Sequence, residues 1–434
     1  MMTIQEFQAR RAALASRLPS DAIALIPAAN EVLRNGDAHY RFRQDSDFYY
    51  LTGFSEPEAL LIITGGNASE AILFNQPRSP LAEQWTGPRL GQEAACEILG
   101  VDCAYPITSL EELLPQFIAG KKSLYYALDK NPCWAKQILK AWQDVKGLVR
   151  RGTVAPEAFC DLGPLLGELR LIKSVNEIKL IERAVSISVK GHQRAMRAAK
   201  AAKNEYQLEA ELLYEFYRGG CRSVAYDSIV AGGANACVLH YTDNNRPLQQ
   251  GEMVLIDAGG EYENYAADIT RTFPVSGQFS HEQELIYDLV LESQKRGIAC
   301  IKPGTRWDEI QKVIVNCLTQ GLVDLGLLKG SVEELIEREA YKPMYMHQSG
   351  HWLGLDVHDV GAYKIDGKWR VLEPMMVLTV EPGLYIKPGL EGVDSRFWGI
   401  GVRIEDDVQV IEGGSHVLSK ELPSERAALE ALMS

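Results

Sequence analysis

Four carboxylates stand where a strand would ordinarily carry apolar side chains. Asp257 ends the run VLID, Asp268 lies inside AADIT, Glu381 closes VLTV ahead of Pro382-Gly383, and Glu405 follows the alternating segment GIGVRI. Three of the eight histidines, His347, His351 and His358, fall within HQSGHWLGLDVHDVG. If the chain reverses between Gly260 and Tyr265, antiparallel pairing sets Asp257 opposite Asp268, with their β-carbons ~5 Å apart. Carboxylates that close repel one another unless a proton or a metal ion binds between them. Pro382 biases Glu381 toward extended backbone, and a period of two sends Arg403 and Glu405 to one face. Singly, each feature has a plainer explanation. A strand aspartate can face solvent, Arg403 and Glu405 can form a surface pair, and Glu405-Asp406-Asp407 can be a charged loop. Together with the imidazole of His351, the four carboxylates form an oxygen-rich donor set for two divalent cations. A single cation would leave a costly excess of buried negative charge. Such ligation favours manganese or magnesium, and the imidazole also admits zinc, cobalt or iron.

The elements that must position these groups fall into two blocks. The first, residues 1–170, alternates helices and strands. ALLIIT and EAILF form a hairpin around GGNAS. Thr108 or Ser109 with Glu111 or Glu112 predicts a capping box, and Asn131-Pro132 opens a further helix. The second block, residues 171–434, opens with the box Ser174–Glu177, followed by a helix from about Asn204 to Tyr217 and another started by Ser280 and Gln283. Its long strands are MVLIDAGG, MMVLTVEPGLYI and GIGVRIEDDVQVI, an α+β pattern behind an α/β domain. Gly350 and Gly354 would let backbone approach closely near the histidines. The chain of 434 residues is 46% hydrophobic and 24% charged, as in a soluble globular protein. A net charge of −13 disfavours nucleic acid or an anionic membrane as partner. No apolar run is long enough to span a bilayer, and the first residues read as an amphipathic helix rather than a leader. The eight cysteines form no CxxC pair, which fits a reducing cytoplasm.

In this order, DAGGEYENYAADITRTF, HQSGHWLGLDVHD, LTVEPGLYI and GVRIEDD resemble the motifs of the pita-bread metallopeptidases. RNGDAHYRFRQDSDFYYLTGFSEPEALLII is similar to the leading domain of the aminopeptidase P group and its prolidase relatives. The resemblance implies a pita-bread catalytic domain behind an α/β domain, acting on peptides that begin Xaa-Pro. It implies that Asp257 holds one metal, that Asp268 and Glu405 bridge two, and that His351 and Glu381 hold the other. His240, His347 and His358 match histidines around the substrate, and Tyr385 and Arg403 match further residues of that site. Asp37 and Trp85 match leading-domain residues that reach a site at a subunit contact. The chemistry expected is attack by a metal-activated water. His358, then His347, would serve as oxyanion donor, Glu381 as proton relay, and His240 and Tyr385 as walls around the proline ring. The resemblance also implies a homodimer or homotetramer. The rival readings are an Xaa-Pro dipeptidase and a pita-bread module that binds peptides without cleaving them. A dinuclear phosphoesterase ranks below these, because no Arg/Lys cluster accompanies the motifs.

Overall fold

The computed structural model describes residues 2–66, 68–127 and 130–434. The chain divides into two compact units, Met1–Arg170 and Leu171–Ser434. Among the described residues no helix is long and apolar enough to cross a membrane.

The first unit is built on a six-stranded sheet in the order Cys103–Pro106, Ala71–Asn75, Leu60–Thr64, Ala22–Pro27, Ser123–Tyr125, Ala158–Cys160. Leu60–Thr64 runs antiparallel to both neighbours and the remaining pairs are parallel. The central strands are buried along nearly their whole length. Their near-continuous apolar sequences are those of a sheet covered on both faces. Leu60 pairs with Phe74, as ALLIIT and EAILF lead one to expect; Asn67 in the connecting GGNAS lies outside the described residues. Asn131 caps the helix Pro132–Gly147, its Oδ1 accepting from the amides of Cys133 and Trp134. The capping box expected at Thr108–Ser109 does not form. Ile107–Ser109 makes a 3-10 turn instead, and the Ser109 hydroxyl donates back to the Pro106 carbonyl. A different box, Thr3 with Glu6, starts the first helix, Ile4–Arg17.

In the second unit the boxes Ser174–Glu177 and Ser280–Gln283 both form, opening the helices Val175–Ala198 and His281–Ala299. Glu205–Gly219 ends at Gly220 in the left-handed conformation. Two strand ribbons carry the carboxylates. In the first, Met253–Asp257 pairs with Thr270–Pro274, and Asp257 faces Thr270 rather than Asp268. The reversal sits at Glu263-Asn264, both with positive φ, as a tight two-residue hairpin turn requires. The expected register is therefore off by two residues. Because side chains alternate, a shift of two leaves Asp257 and Asp268 on the same face.

The second ribbon has one interrupted ladder. Val377–Val380 pairs with Asp406–Ile411, and Gly383–Ile386 pairs with Ile400–Arg403. Val380 faces Asp406 and Gly383 faces Arg403, so the register brings Glu381 opposite Glu405 at the break. Their amides point elsewhere: Glu381 N–H donates to Ser349 O and Glu405 N–H to Thr270 O. The break thus ties the histidine segment and the first ribbon to the same spot. Glu405, Asp406 and Asp407 are all buried, which rules out the charged-loop explanation.

Candidate metal centre

The ribbons and the histidine segment bring Asp257, Asp268, His351, Glu381 and Glu405 into the wall of one cavity of about 1120 Å3. His351 Nε2 lies 3.3 Å from Asp268 Oδ2 and 3.7 Å from Glu381 Oε1. Asp268, His351 and Glu405 offer ligand atoms within 4.8 Å of one another, a grouping that fits a divalent cation. The ring of His351 is aimed by its Nδ1, 3.0 Å from its neighbour's carbonyl, Trp352 O. That leaves Nε2 toward the carboxylates, the arrangement by which outer hydrogen bonds orient metal-binding histidines. A β-carbon on Gly350 would sit 2.1 Å from Thr379 O, so only glycine lets this segment lie against the strand.

Charge in this cluster is unbalanced. Burial, then the neighbouring Asp268, Glu381 and Asp257, push the Glu405 carboxyl well above its usual range. Burial also carries Glu381 up to about 7, against the opposing pull of His351 and Arg403. Burial works against a charged His351, yet its bond to Asp268 and the charges of Asp268 and Glu381 raise it to about 9. A site that must bind protons to relieve its own repulsion is one that cations would stabilise.

Residues 179–412 match the family described as metallopeptidase family M24, and residues 7–125 match the aminopeptidase P N-terminal domain. The chain belongs to metallopeptidase family M24. It is 46% identical to the Xaa-Pro aminopeptidase of Haemophilus influenzae over 431 residues, 99% of this chain and 97% of that protein. It is 45% identical to the Xaa-Pro aminopeptidase of Escherichia coli over the same shares. The solved aminopeptidase PepP of Pseudomonas aeruginosa superposes with a TM-score of 0.96 at 47% identity, covering 100% of this chain and 98% of that one. The fold is therefore the pita-bread fold behind an aminopeptidase P-type leading domain, as the motifs imply.

Within this M24 site, several groups sit differently from the sequence expectation. Tyr385 is fully buried and packs with Ile229, Ala231 and Leu255, so it stands behind the cavity wall rather than in it. Its hydroxyl accepts from Arg403 Nη1 at 2.9 Å and lies 2.8 Å from His347 Nε2. The other nitrogen of His347 lies 2.7 Å from Gln348 O. Burial, then Arg403, hold this ring down at about 4 and hence neutral, with both nitrogens engaged. His358 is exposed at the cavity, edge-on to His351 at 4.3 Å between ring centres. No hydrogen bond among the described residues ties its ring. His240 is likewise exposed on the cavity wall. Arg403 is buried, donating to Asp257 Oδ2 at 2.6 Å and to Thr270 Oγ1 at 3.2 Å, and that hydroxyl donates to Glu405 at 2.7 Å. Arg403 and Glu405 thus share a face through Thr270. Asp37 and Trp85 lie in the first unit. Asp37 is exposed in the turn between Leu33–Asn35 and Ala38–His39, and Trp85 is 85% exposed on the helix Pro80–Thr86.

One participant carried no sequence signal. The Tyr226 hydroxyl contacts both Asp257 Oδ1 and Asp268 Oδ1, the only bridge between the two aspartates among the described residues. Burial and the two carboxylates hold its phenol well above the usual range, so it stays protonated. It lies in a short irregular stretch where neither periodicity nor motif marks it.

Proposed function

We propose that the protein is a metal-dependent Xaa-Pro aminopeptidase, releasing the first residue of peptides that carry proline second. Two divalent ions, manganese foremost, would be held by Asp257, Asp268, His351, Glu381 and Glu405. The observation that carries the reading is the convergence of these five groups on one cavity with an excess of buried negative charge. The relatives called Xaa-Pro aminopeptidase supply the substrate class. One solved relative is the Escherichia coli aminopeptidase P with the inhibitor Pro-Leu, and another is its zinc-substituted form in complex with product. The enzyme would act in the cytoplasm as a homodimer or homotetramer, with the exposed Asp37 and Trp85 left for a neighbouring subunit's site.

Bound there, two divalent ions would lower the pKa of a bound water toward neutrality and polarise the scissile carbonyl. The chain's own residues do the rest. Tyr226 holds one oxygen of each aspartate and Arg403 holds the second oxygen of Asp257, which fixes the two carboxylates side by side in the cavity wall. His358, free of other bonds, is the donor for the oxygen on which charge develops. His347 is committed to Tyr385 and Gln348 and instead buttresses the Arg403–Tyr385 pair. Glu381, on the same cavity wall, would carry a proton to the departing proline nitrogen. That nitrogen belongs to a tertiary amide without N–H, so the ring must be gripped by shape. Leu239, His240 and Val357 line the cavity for this purpose. A dipeptidase would need a cation for the carboxylate directly after proline; Arg403, the cation the motifs offer beside the metal ligands, is already spent on Asp257 and Tyr385.

Asp268→Ala tests the centre. Metal content should fall below that of the native protein, and cleavage of Ala-Pro-Ala should drop by ~10³-fold or more, with the circular dichroism spectrum kept. Full activity in this variant rejects the site. Rapid cleavage of Ala-Pro with none of Ala-Pro-Ala replaces the aminopeptidase with a dipeptidase.

A further inference from the structure

The cavity wall contains a basic group that the proposed mechanism leaves unused. Setting the histidines aside, the described residues lining the cavity include two cations, Arg403 and Lys364. Arg403 is buried and bound, whereas Lys364 is exposed and forms no ion pair among the described residues. It belongs to a small hairpin in which Lys364 pairs with Trp369 and Ile365 with Lys368. Alternation puts Lys364 and Trp369 on one face and Ile365 and Lys368 on the other. The first pair is the one that lines the cavity. There the ammonium sits 4.3 Å from the centre of the Trp369 ring, a cation–π contact that holds the charge in place without neutralising it.

The hairpin is tied by specific contacts to the segment that carries His351. Its tip, Asp366-Gly367, has two positive φ angles, as a two-residue turn demands. At its base Arg370 N–H donates to Tyr363 O at 2.9 Å. The ring of Tyr363 stacks on Trp352 at 5.4 Å and 10°. Its hydroxyl accepts from the Trp352 amide at 3.2 Å, next in sequence to His351. The position of Lys364 is thereby referred to the metal-binding segment itself.

We propose that Lys364, held over Trp369, is a specificity determinant that recognises a carboxylate on the substrate downstream of proline. This rests on the aminopeptidase reading. The acidic cluster attracts the positive amino end of a peptide, and among the described residues of the same wall Lys364 supplies an uncommitted positive point for its negative part. A carboxylate can come from the end of a short peptide or from an Asp or Glu side chain after proline.

The metal-loaded enzyme should be assayed on Ala-Pro-Ala as free acid and as amide, and on Ala-Pro-Glu amide against Ala-Pro-Gln amide. The native enzyme should favour the carboxylate form by about fivefold in kcat/KM, the size of an exposed ion pair. Lys364→Ala should remove that preference, Lys364→Glu invert it and Lys364→Arg retain it, with Ala-Pro-Ala amide cleaved at the native rate in all three. If only the free-acid ratio responds, the carboxylate is the chain end; if only the Glu ratio responds, it is the side chain. Ratios that Lys364→Glu leaves unmoved overturn the inference while leaving the aminopeptidase intact. No cleavage of any of these peptides by the native enzyme removes both.

Discussion

Glu405 and Asp406 are adjacent in the chain and both buried, but their surroundings differ. Asp406 accepts from Arg271 Nη2 at 2.7 Å, Ser419 Oγ at 2.5 Å and Gln294 Nε2 at 2.8 Å. The Glu405 carboxylate accepts from Thr270 Oγ1 alone among the described residues, and faces Asp268, Glu381 and Asp257. One carboxylate is matched by an opposite charge and by dipoles; the other is set among like charges. The matched group holds strands together, and Arg271 also donates to the carbonyls of Glu405, Leu422 and Pro423, binding the ribbons to the carboxy-terminal segment. The unmatched group is worth its cost only if something from solution completes it. Asp47 in the first unit repeats the matched pattern, clasped by Arg170 and Lys130. Asp406 and Asp47 thus have their counter-charge from the chain, whereas Glu405 has none among the described residues; Asp257, paired with Arg403, is the site carboxylate closest to the matched pattern.

Breaking the matched side should cost the most stability. Arg271→Leu leaves Asp406 buried without its cation, a change that typically costs about 3–5 kcal/mol. Urea unfolding should show a loss of that size at pH 8, whether or not metal is present. A loss under ~1 kcal/mol would place Asp406 with the site rather than the scaffold.

His192 lies between the two classes. It is fully buried, its Nε2 is 2.9 Å from Ala258 O, and its Nδ1 has no hydrogen-bond partner among the described residues. Burial, then Arg271, depress its pKa from 6.5 to about 4 against the help of Ala258 O. The unfolded chain then binds a proton that the folded chain refuses. Its contribution is complete above pH ~6.5 and is lost as pH falls toward about 4, up to ~3 kcal/mol. His192→Gln, which can keep a donor to Ala258 O, should flatten the fall in melting temperature between pH 7 and 5. An unchanged slope would show that other groups set it.

The sequence made the unmatched side more legible than the matched side. Carboxylates closing apolar runs violate strand patterning, and that violation exposes Asp257, Asp268, Glu381 and Glu405. The Arg271–Asp406 pair joins residues 135 apart in sequence, and nothing local announces it. Tyr226 was invisible for the same reason. The register of the first ribbon was misplaced because its turn uses Glu263 and Asn264, with no glycine to mark the left-handed positions. Tyr385 sits on an alternating strand, and alternation does not say which face meets the cavity and which the core. The opposition of Glu381 and Glu405 depends on two strands far apart in the chain, so only their pairing shows it.

Glu405→Gln offers the smallest and most discriminating test. If Glu405 were scaffold, its amide would lose stability as Arg271→Leu does. If it belongs to the site, removing a charge that burial and three carboxylates oppose should stabilise the metal-free protein by about 1 kcal/mol at pH 8. The sign follows from linkage: a carboxyl whose folded pKa lies above its unfolded value costs stability as the pH rises past the unfolded value. Adding manganese should reverse the order. The native protein gains RT ln(1 + [L]/Kd), about 2.7 kcal/mol at a hundredfold excess over Kd, and the variant gains less because it has lost a ligand. Melting curves of both proteins, with chelator and with manganese, should therefore cross. Parallel curves would mean that Glu405 is held by the fold alone.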